Sequence, residues 1–232
     1  MAKTYEAMQK DGGSSESGWR FLDLKNRKQI GDLEKKILFY KQKNDFKVFN
    51  FTSSRSGEGV STVLANLLNY FKLQKSDKDI LVIDANFQSP SLHNVFNIAN
   101  VQGLIDILKK GTSLAEVSTP IDSTKISILT SGKGYAGQSD DIDKDNLDNT
   151  LAEAKEKFDY IFIDSPPILA SSNAVSTAVV SDITFWVIQA LKVQIEVALR
   201  AKATLEDNEC VIGGAILNRT LQVIPSWVYK IF

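Results

Sequence analysis

Six short apolar runs punctuate the sequence: Phe46–Thr52, Ile80–Asp84, Ile126–Thr130, Tyr160–Asp164, Ile183–Gln189 and Val211–Leu217. Each is followed by a stretch that can turn, cross over and return. Runs that stay apolar at successive positions suit strands buried on both faces, which is the environment of a parallel sheet with helices on either side. The sequence is therefore expected to form an α/β fold, a doubly wound and mostly parallel sheet. Helices are predicted over 60–73 and near 145–157. Residues 28–43 place Ile30, Leu33, Ile37 and Tyr40 at helical spacing between lysines, which predicts an amphipathic helix that covers the sheet or contacts a partner. Residues 1–18 end in the Gly/Ser-rich run Asp11–Gly18 and read as a flexible leader with a short helix over Tyr5–Lys10. The acidic stretch Asp140–Asp148 reads as a solvated loop and helix start.

The bulk numbers exclude several classes. A formal net charge of −1 gives no electrostatic basis for binding nucleic acid. One cysteine, Cys210, cannot form an internal disulfide and reads as a small apolar residue entering a strand. The single histidine, His93, has no partners at zinc-ligand spacing, so no metal cluster is expected. No run of about 18 apolar residues is present to span a membrane, and Met1–Lys10 lacks the apolar core of a secretory signal. A cytoplasmic location is expected.

The turn after the first run reads Ser53-Ser54-Arg55-Ser56-Gly57-Glu58-Gly59-Val60-Ser61-Thr62. Glycines at such a strand-to-helix turn let backbone N–H groups converge on phosphate oxygens. A lysine after the last glycine then reaches the terminal phosphates, and the next hydroxyl binds Mg²⁺. Here the glycines and the hydroxyl Ser61, backed by Thr62, are in place, but the lysine position is Val60. The glycines alone would also suit a plain tight turn. The runs Ile80–Asp84 and Tyr160–Asp164 favour the ligand reading, because each ends in a carboxylate where open α/β sheets bind their ligands.

Taken in order, these segments resemble the bacterial tyrosine kinases of capsule and exopolysaccharide synthesis, P-loop proteins related to the MinD/ParA ATPases. The resemblance runs from about residue 30 to 219. Ser53–Thr62 looks like the family's Walker A loop, Ile80–Pro90 like its Walker A′ segment and Tyr160–Pro167 like its Walker B. Gly103–Leu108 and Ile216–Arg219 match further landmarks, and Met1–Gln9 is also similar. It implies a P-loop NTPase (MinD/ParA-like) domain over 46–232, preceded by the leader 1–18 and a helical segment 19–45. It also implies a nucleotide (ATP or ADP) held by Ser56, Gly57, Glu58, Gly59, Val60, Ser61, Thr62, Asn218 and Arg219, with Asn218 near the adenine. Mg²⁺ would be held by Ser61, Asp84 and Asp164, with Asp84 and Asp164 catalytic if activity is retained.

The departures all remove charge or an acceptor. Val60 stands for the lysine, Asn86 for an aspartate, Gln88 for an arginine and Asn173 for an aspartate. Beyond Arg219 the family's kinases carry a tyrosine-rich tail, where this sequence has Tyr229. Phosphoryl transfer depends on positioning and on charge stabilisation, so nucleotide binding is expected to be weakened or lost and the chain to be a pseudo-kinase. The resemblance then implies a regulator or scaffold for a membrane chain-length or export protein, placing the chain at the inner membrane through that partner, with homo-oligomers allowed. Residues 28–43 and Ile224–Tyr229 are the expected contact surfaces. An alternative is an active autokinase or ATPase in which Arg55 or Lys133 supplies the missing cation. A MinD/ParA-type positioning ATPase is a third reading, disfavoured because Ser54 and Arg55 stand where that group carries a lysine.

Overall fold

The computed structural model describes residues 27–121, 123–134 and 142–219; the leader, the tail 224–229 and the acidic positions 140–141 lie outside the described residues. In chain order the elements are α1 (Arg27–Asn44), β1 (Val48–Ser53), α2 (Val60–Leu73), β2 (Ile80–Asp84), α3 (Leu92–Phe96), α4 (Leu104–Lys110), α5 (Leu114–Val117), β3 (Thr119–Pro120), β4 (Ile126–Leu129), α6 (Lys144–Lys157), β5 (Tyr160–Asp164), α7 (Ser172–Val179), β6 (Ile183–Gln189), α8 (Ile195–Asp207) and β7 (Ile212–Asn218). The strands form one sheet in the order β3-β4-β2-β5-β1-β6-β7. All pairings are parallel except that of β3 with β4.

Alternation along the strands assigns the two faces. Ile80, Val82, Phe49, Phe51, Phe162 and Phe185 point to one side and pack with Leu64, Leu67 and Phe71 of α2 and with Leu33 and Ile37 of α1. Leu81, Ile83, Val48, Ile161 and Ile163 point to the other, against α4, α5 and α6. The first face is rich in aromatics: Phe51 and Phe185 stack at 5.4 Å and Phe71 meets Tyr160 at 5.5 Å. Each such side chain contributes about 1.5–3 kcal/mol by leaving water. The amphipathic helix α1 packs on α2 and on the sheet itself, where Tyr40 meets Phe185 and donates to the Gly213 carbonyl, with Leu33 and Ile37 buried and Phe39 left exposed. A third cluster sets α7 and α8 against Trp186, with Cys210 packed at its margin.

Two strand starts differ from expectation. β1 begins at Val48 and not at Phe46, because the N–H groups of Lys47 and Val48 both donate to the Asp182 carboxylate, each at 2.8 Å. β7 begins at Ile212 and carries a register irregularity opposite Thr184/Phe185. In the acidic stretch, Asp143 caps α6 by accepting from the N–H groups of Asp145 and Asn146, which is the preferred chemistry at a helix start.

Candidate functional site

The candidate residues gather at the carboxyl ends of β1, β2, β5 and β7, where the parallel sheet opens. The register places Asp84 directly across from Asp164 on adjacent strands. Asp84 is fully buried; its Oδ2 accepts from the N–H groups of Ser91 at 2.9 Å and Leu92 at 3.0 Å, and its Oδ1 from Asn86 at 3.2 Å. Asn86, which stands for the family's second aspartate, thus contributes a backbone N–H to this carboxylate. Burial pushes the Asp84 carboxyl up from its ordinary value, against the pull of these three N–H groups.

Asp164 differs. Its Oδ2 is buried with no hydrogen-bond partner. Burial first, and then the charge of Asp84, push its carboxyl well above the ordinary range, opposed by a hydrogen bond from the Ser61 side chain. Ser61 in turn accepts from Ser91 Oγ at 2.7 Å, so a hydroxyl pair leads from the start of α3 to the end of β5. The buried side-chain atoms without partners among the described residues are Asp164 Oδ2, His93 Nδ1 and Gln189 Oε1. All three stand at this end of the sheet, after β5, β2 and β6. Buried polar atoms are rarely left unpaired. Their concentration here fits a polar ligand, and an orphaned carboxylate oxygen beside Ser61 fits a hard cation such as Mg²⁺.

The loop keeps its cradle. Gly57 and Gly59 have φ of 84° and 98°, the left-handed region that glycine enters without strain. A Cβ on Gly59 would lie 2.2 Å from Asn218 Nδ2, and that amide donates to the Glu58 carbonyl at 2.8 Å. Gly59 caps α2 without any side-chain hydrogen bond, so the cap residue itself brings no acceptor to a helix start of the kind that binds anions. Ser56, Gly57 and Arg55 form the exposed tip, while Ser61 and Thr62 are half-buried. Val60 is 8% exposed and joins the core beside Val63 and Leu64. Asn218 holds the Arg219 N–H through Oδ1 at 2.9 Å, and Arg219 itself is exposed at φ 55°. The two candidate substitute cations, Arg55 and Lys133, are both exposed.

Gly59→Ala should destabilise the protein by about 1 kcal/mol or more through left-handed strain and loss of the Asn218 contact. That corresponds to about a 2–4 °C drop in the midpoint of thermal unfolding for a chain of this size. An unchanged midpoint would show that the Gly59–Asn218 contact is loose.

Glu58 was named from the sequence among the residues holding the nucleotide, but its side chain is 2% exposed and turns inward, its Oε1 accepting from the Arg55 N–H at 2.9 Å and its Oε2 from Ser54 at 3.3 Å. Other residues of the site escaped the sequence. Ser54 Oγ accepts from the Trp186 indole at 3.0 Å. Ser91 had a weak signal, since it follows Pro90 at the close of the Walker A′ resemblance. Trp186 and Gln189 had none, because only the sheet order brings β6 beside β1. Asn173, standing for an aspartate, accepts from the Ile142 N–H at 2.8 Å and is spent on structure.

With this geometry in place, the comparisons are informative. An AAA domain model matches residues 46–200. Tyrosine-protein kinase YwqD of Bacillus subtilis is 31% identical over 193 residues, covering 83% of this chain and 81% of that protein. Among solved structures, the kinase domain of Escherichia coli tyrosine kinase ETK has a TM-score of 0.78 at 22% identity, covering 86% of this chain and 77% of that chain. MinD of Pyrococcus horikoshii, complexed with Mg-ADP, has a TM-score of 0.63 at 21% identity, covering 79% and 76%. The structural likenesses carry the fold, and the sequence matches carry the family. With its α/β sheet, its glycine loop and two strand-end aspartates, and with a fold shared with MinD, the chain belongs to the bacterial tyrosine-kinase family of P-loop proteins.

Proposed function

We propose that the chain is a catalytically weakened member of this family, one that keeps a nucleotide cradle and acts as a regulator or scaffold in bacterial exopolysaccharide or capsule synthesis. The supporting observation is at one position. Val60 packs into the core where the family's lysine would start toward the phosphates, while the loop backbone around it retains its left-handed glycines. The nucleotide, ATP or ADP, would rest on the N–H groups of residues 56–62, with Asn218 and Arg219 beside the base. The Mg²⁺ would be held by Ser61, Asp84 and Asp164, and when bound it supplies counter-charge to the phosphates. Asp84 already accepts from three backbone N–H groups, so its part is to fix the segment of Asn86, Ser91 and Leu92 as much as to face the ion. No helix among the described residues is long and apolar enough to cross a membrane. In this reading the scaffold serves a membrane chain-length or export protein as its partner. The resemblance further allows homo-oligomers.

Calorimetry of ATP with and without Mg²⁺, together with a phosphotransfer assay, tests this. Without a lysine the ion carries the counter-charge alone, so affinity should fall about tenfold or more when Mg²⁺ is removed, the equivalent of one charge-assisted contact. Transfer from ATP should be far below the ~1–100 s⁻¹ of competent kinases. Equal affinity with and without the ion, or transfer in that range, would sink the proposal.

The convergence of Asp84, Asp164 and Ser61 favours a second reading, an active autokinase or ATPase with a substitute cation. Under that reading Asp164→Ala abolishes a measurable turnover. A wild type without turnover removes it.

A further inference from the structure

The Glu58 carboxylate is placed where a ligand-facing residue of the loop would not be. It is buried and accepts from the N–H groups of Arg55 at 2.9 Å and Ser54 at 3.3 Å. Its own carbonyl is held by Asn218 at the end of β7 at 2.8 Å. One residue therefore ties the first turn of the loop to the end of β7, while Ser54 Oγ holds the Trp186 indole of β6. Successive backbone N–H groups of a turn form a concavity that favours an anion, and here the chain fills its own concavity with an internal carboxylate. The donors it consumes are those of the buried Ser54 and of Arg55, and neither belongs to the first turn of α2.

We propose that Glu58 is the positioning residue of this loop: its inward carboxylate holds the cradle in ligand-ready shape, so that phosphate recognition rests on preorganised N–H groups where the lysine is missing. This rests on the nucleotide reading above. An ordered cradle avoids the cost of fixing loop backbone when the ligand arrives. It explains why the loop keeps a defined conformation with its two left-handed glycines although the Val60 side chain offers no charge to a phosphate.

The test compares wild type with Glu58→Ala, Glu58→Gln and Glu58→Asp. Three probes are titrated by calorimetry in the presence of Mg²⁺: ADP, inorganic pyrophosphate and adenosine. Amide hydrogen exchange at Ser54 and Arg55 is followed in the free proteins. Glu58→Ala should speed exchange at both amides at least tenfold. It should weaken ADP and pyrophosphate about tenfold or more, while adenosine affinity changes less than twofold. Glu58→Gln keeps one carbonyl oxygen for the Arg55 N–H and should recover most of the phosphate affinity; Glu58→Asp is too short to reach and should resemble the alanine variant. If Glu58→Ala fails to fold by circular dichroism, the Gln and Asp pair decides the matter by the same criteria. Unchanged exchange, or equal loss for adenosine and ADP, overturns the proposal. A wild type that binds neither ADP nor pyrophosphate overturns the nucleotide reading and with it the recognition half of this proposal. The exchange data then still decide whether Glu58 orders the loop.

Discussion

Val60→Lys should tighten ATP binding by roughly 10- to 100-fold, the range set by a charge-assisted hydrogen bond of about 1.5–3 kcal/mol. The same change should lower the stability of the free protein. Val60 lies in the cluster of Val63, Leu64 and Phe71, and giving up most of its burial costs about 1–2 kcal/mol. A lysine at the first position of α2 can escape that cluster only by bending over the loop, which is the path toward the phosphates. The two effects separate by measurement: thermal unfolding without ligand should show a lower midpoint, and calorimetry with Mg-ATP a smaller Kd. If phosphotransfer is limited by the missing cation, it should rise by 100-fold or more, the scale of one electrostatic donor in a transition state. A variant that folds yet binds ATP no better than wild type would show that something other than Val60 limits the loop.

Asp164→Asn should do the opposite, raising stability while removing the metal-dependent part of nucleotide affinity. In the folded protein burial and the neighbouring Asp84 charge raise the Asp164 carboxyl well above its ordinary value, which is about 3.9 in an unfolded chain. The folded state therefore holds this proton more tightly than the unfolded state. The associated stability is fully present below the ordinary carboxylate range and is lost as pH rises through the elevated folded value. When Asp164 is ionised, its burial and the neighbouring Asp84 charge are a standing cost, and an uncharged amide of the same shape removes it. We expect about 1–2 kcal/mol of added stability, or roughly 2–8 °C in the unfolding midpoint. The wild-type midpoint should climb as pH falls toward the ordinary carboxylate range, and the variant's curve should be flatter. ATP should bind the variant equally with and without Mg²⁺. A variant less stable than wild type, or one with an undiminished Mg²⁺ effect, would contradict the role given to Asp164.

How much of this was legible beforehand depended on the range of the interaction. β2, β5 and β6 were read to the residue, because a buried strand needs a continuous apolar run and its end is marked by a polar residue. α2 was read to the residue and α1 within one, since both carry a strong helical period. The Walker-type loop, Asp84 and Asp164 were found because local chemistry at strand ends is written in adjacent residues. The helices α3 and α5 went unread: at five and four residues they are too short to show a period. β3 was missed for the same reason. The Trp186–Ser54 contact and the hold of Asn218 on the Glu58 carbonyl depend on the order in which strands lie in the sheet. That order joins residues more than 100 positions apart, and no local pattern records it.

The antiparallel strand β3 has a consequence for how copies of this protein can meet. It spans Thr119–Pro120, pairs with β4 at Ile128 and Ser127, and closes that flank of the sheet. Proline carries no N–H, and two residues give a neighbouring chain almost nothing to zip onto. Crowded molecules therefore lack a template for strand addition on that side, and any self-association through the backbone is confined to the opposite flank, where β7 forms the outer rim among the described residues.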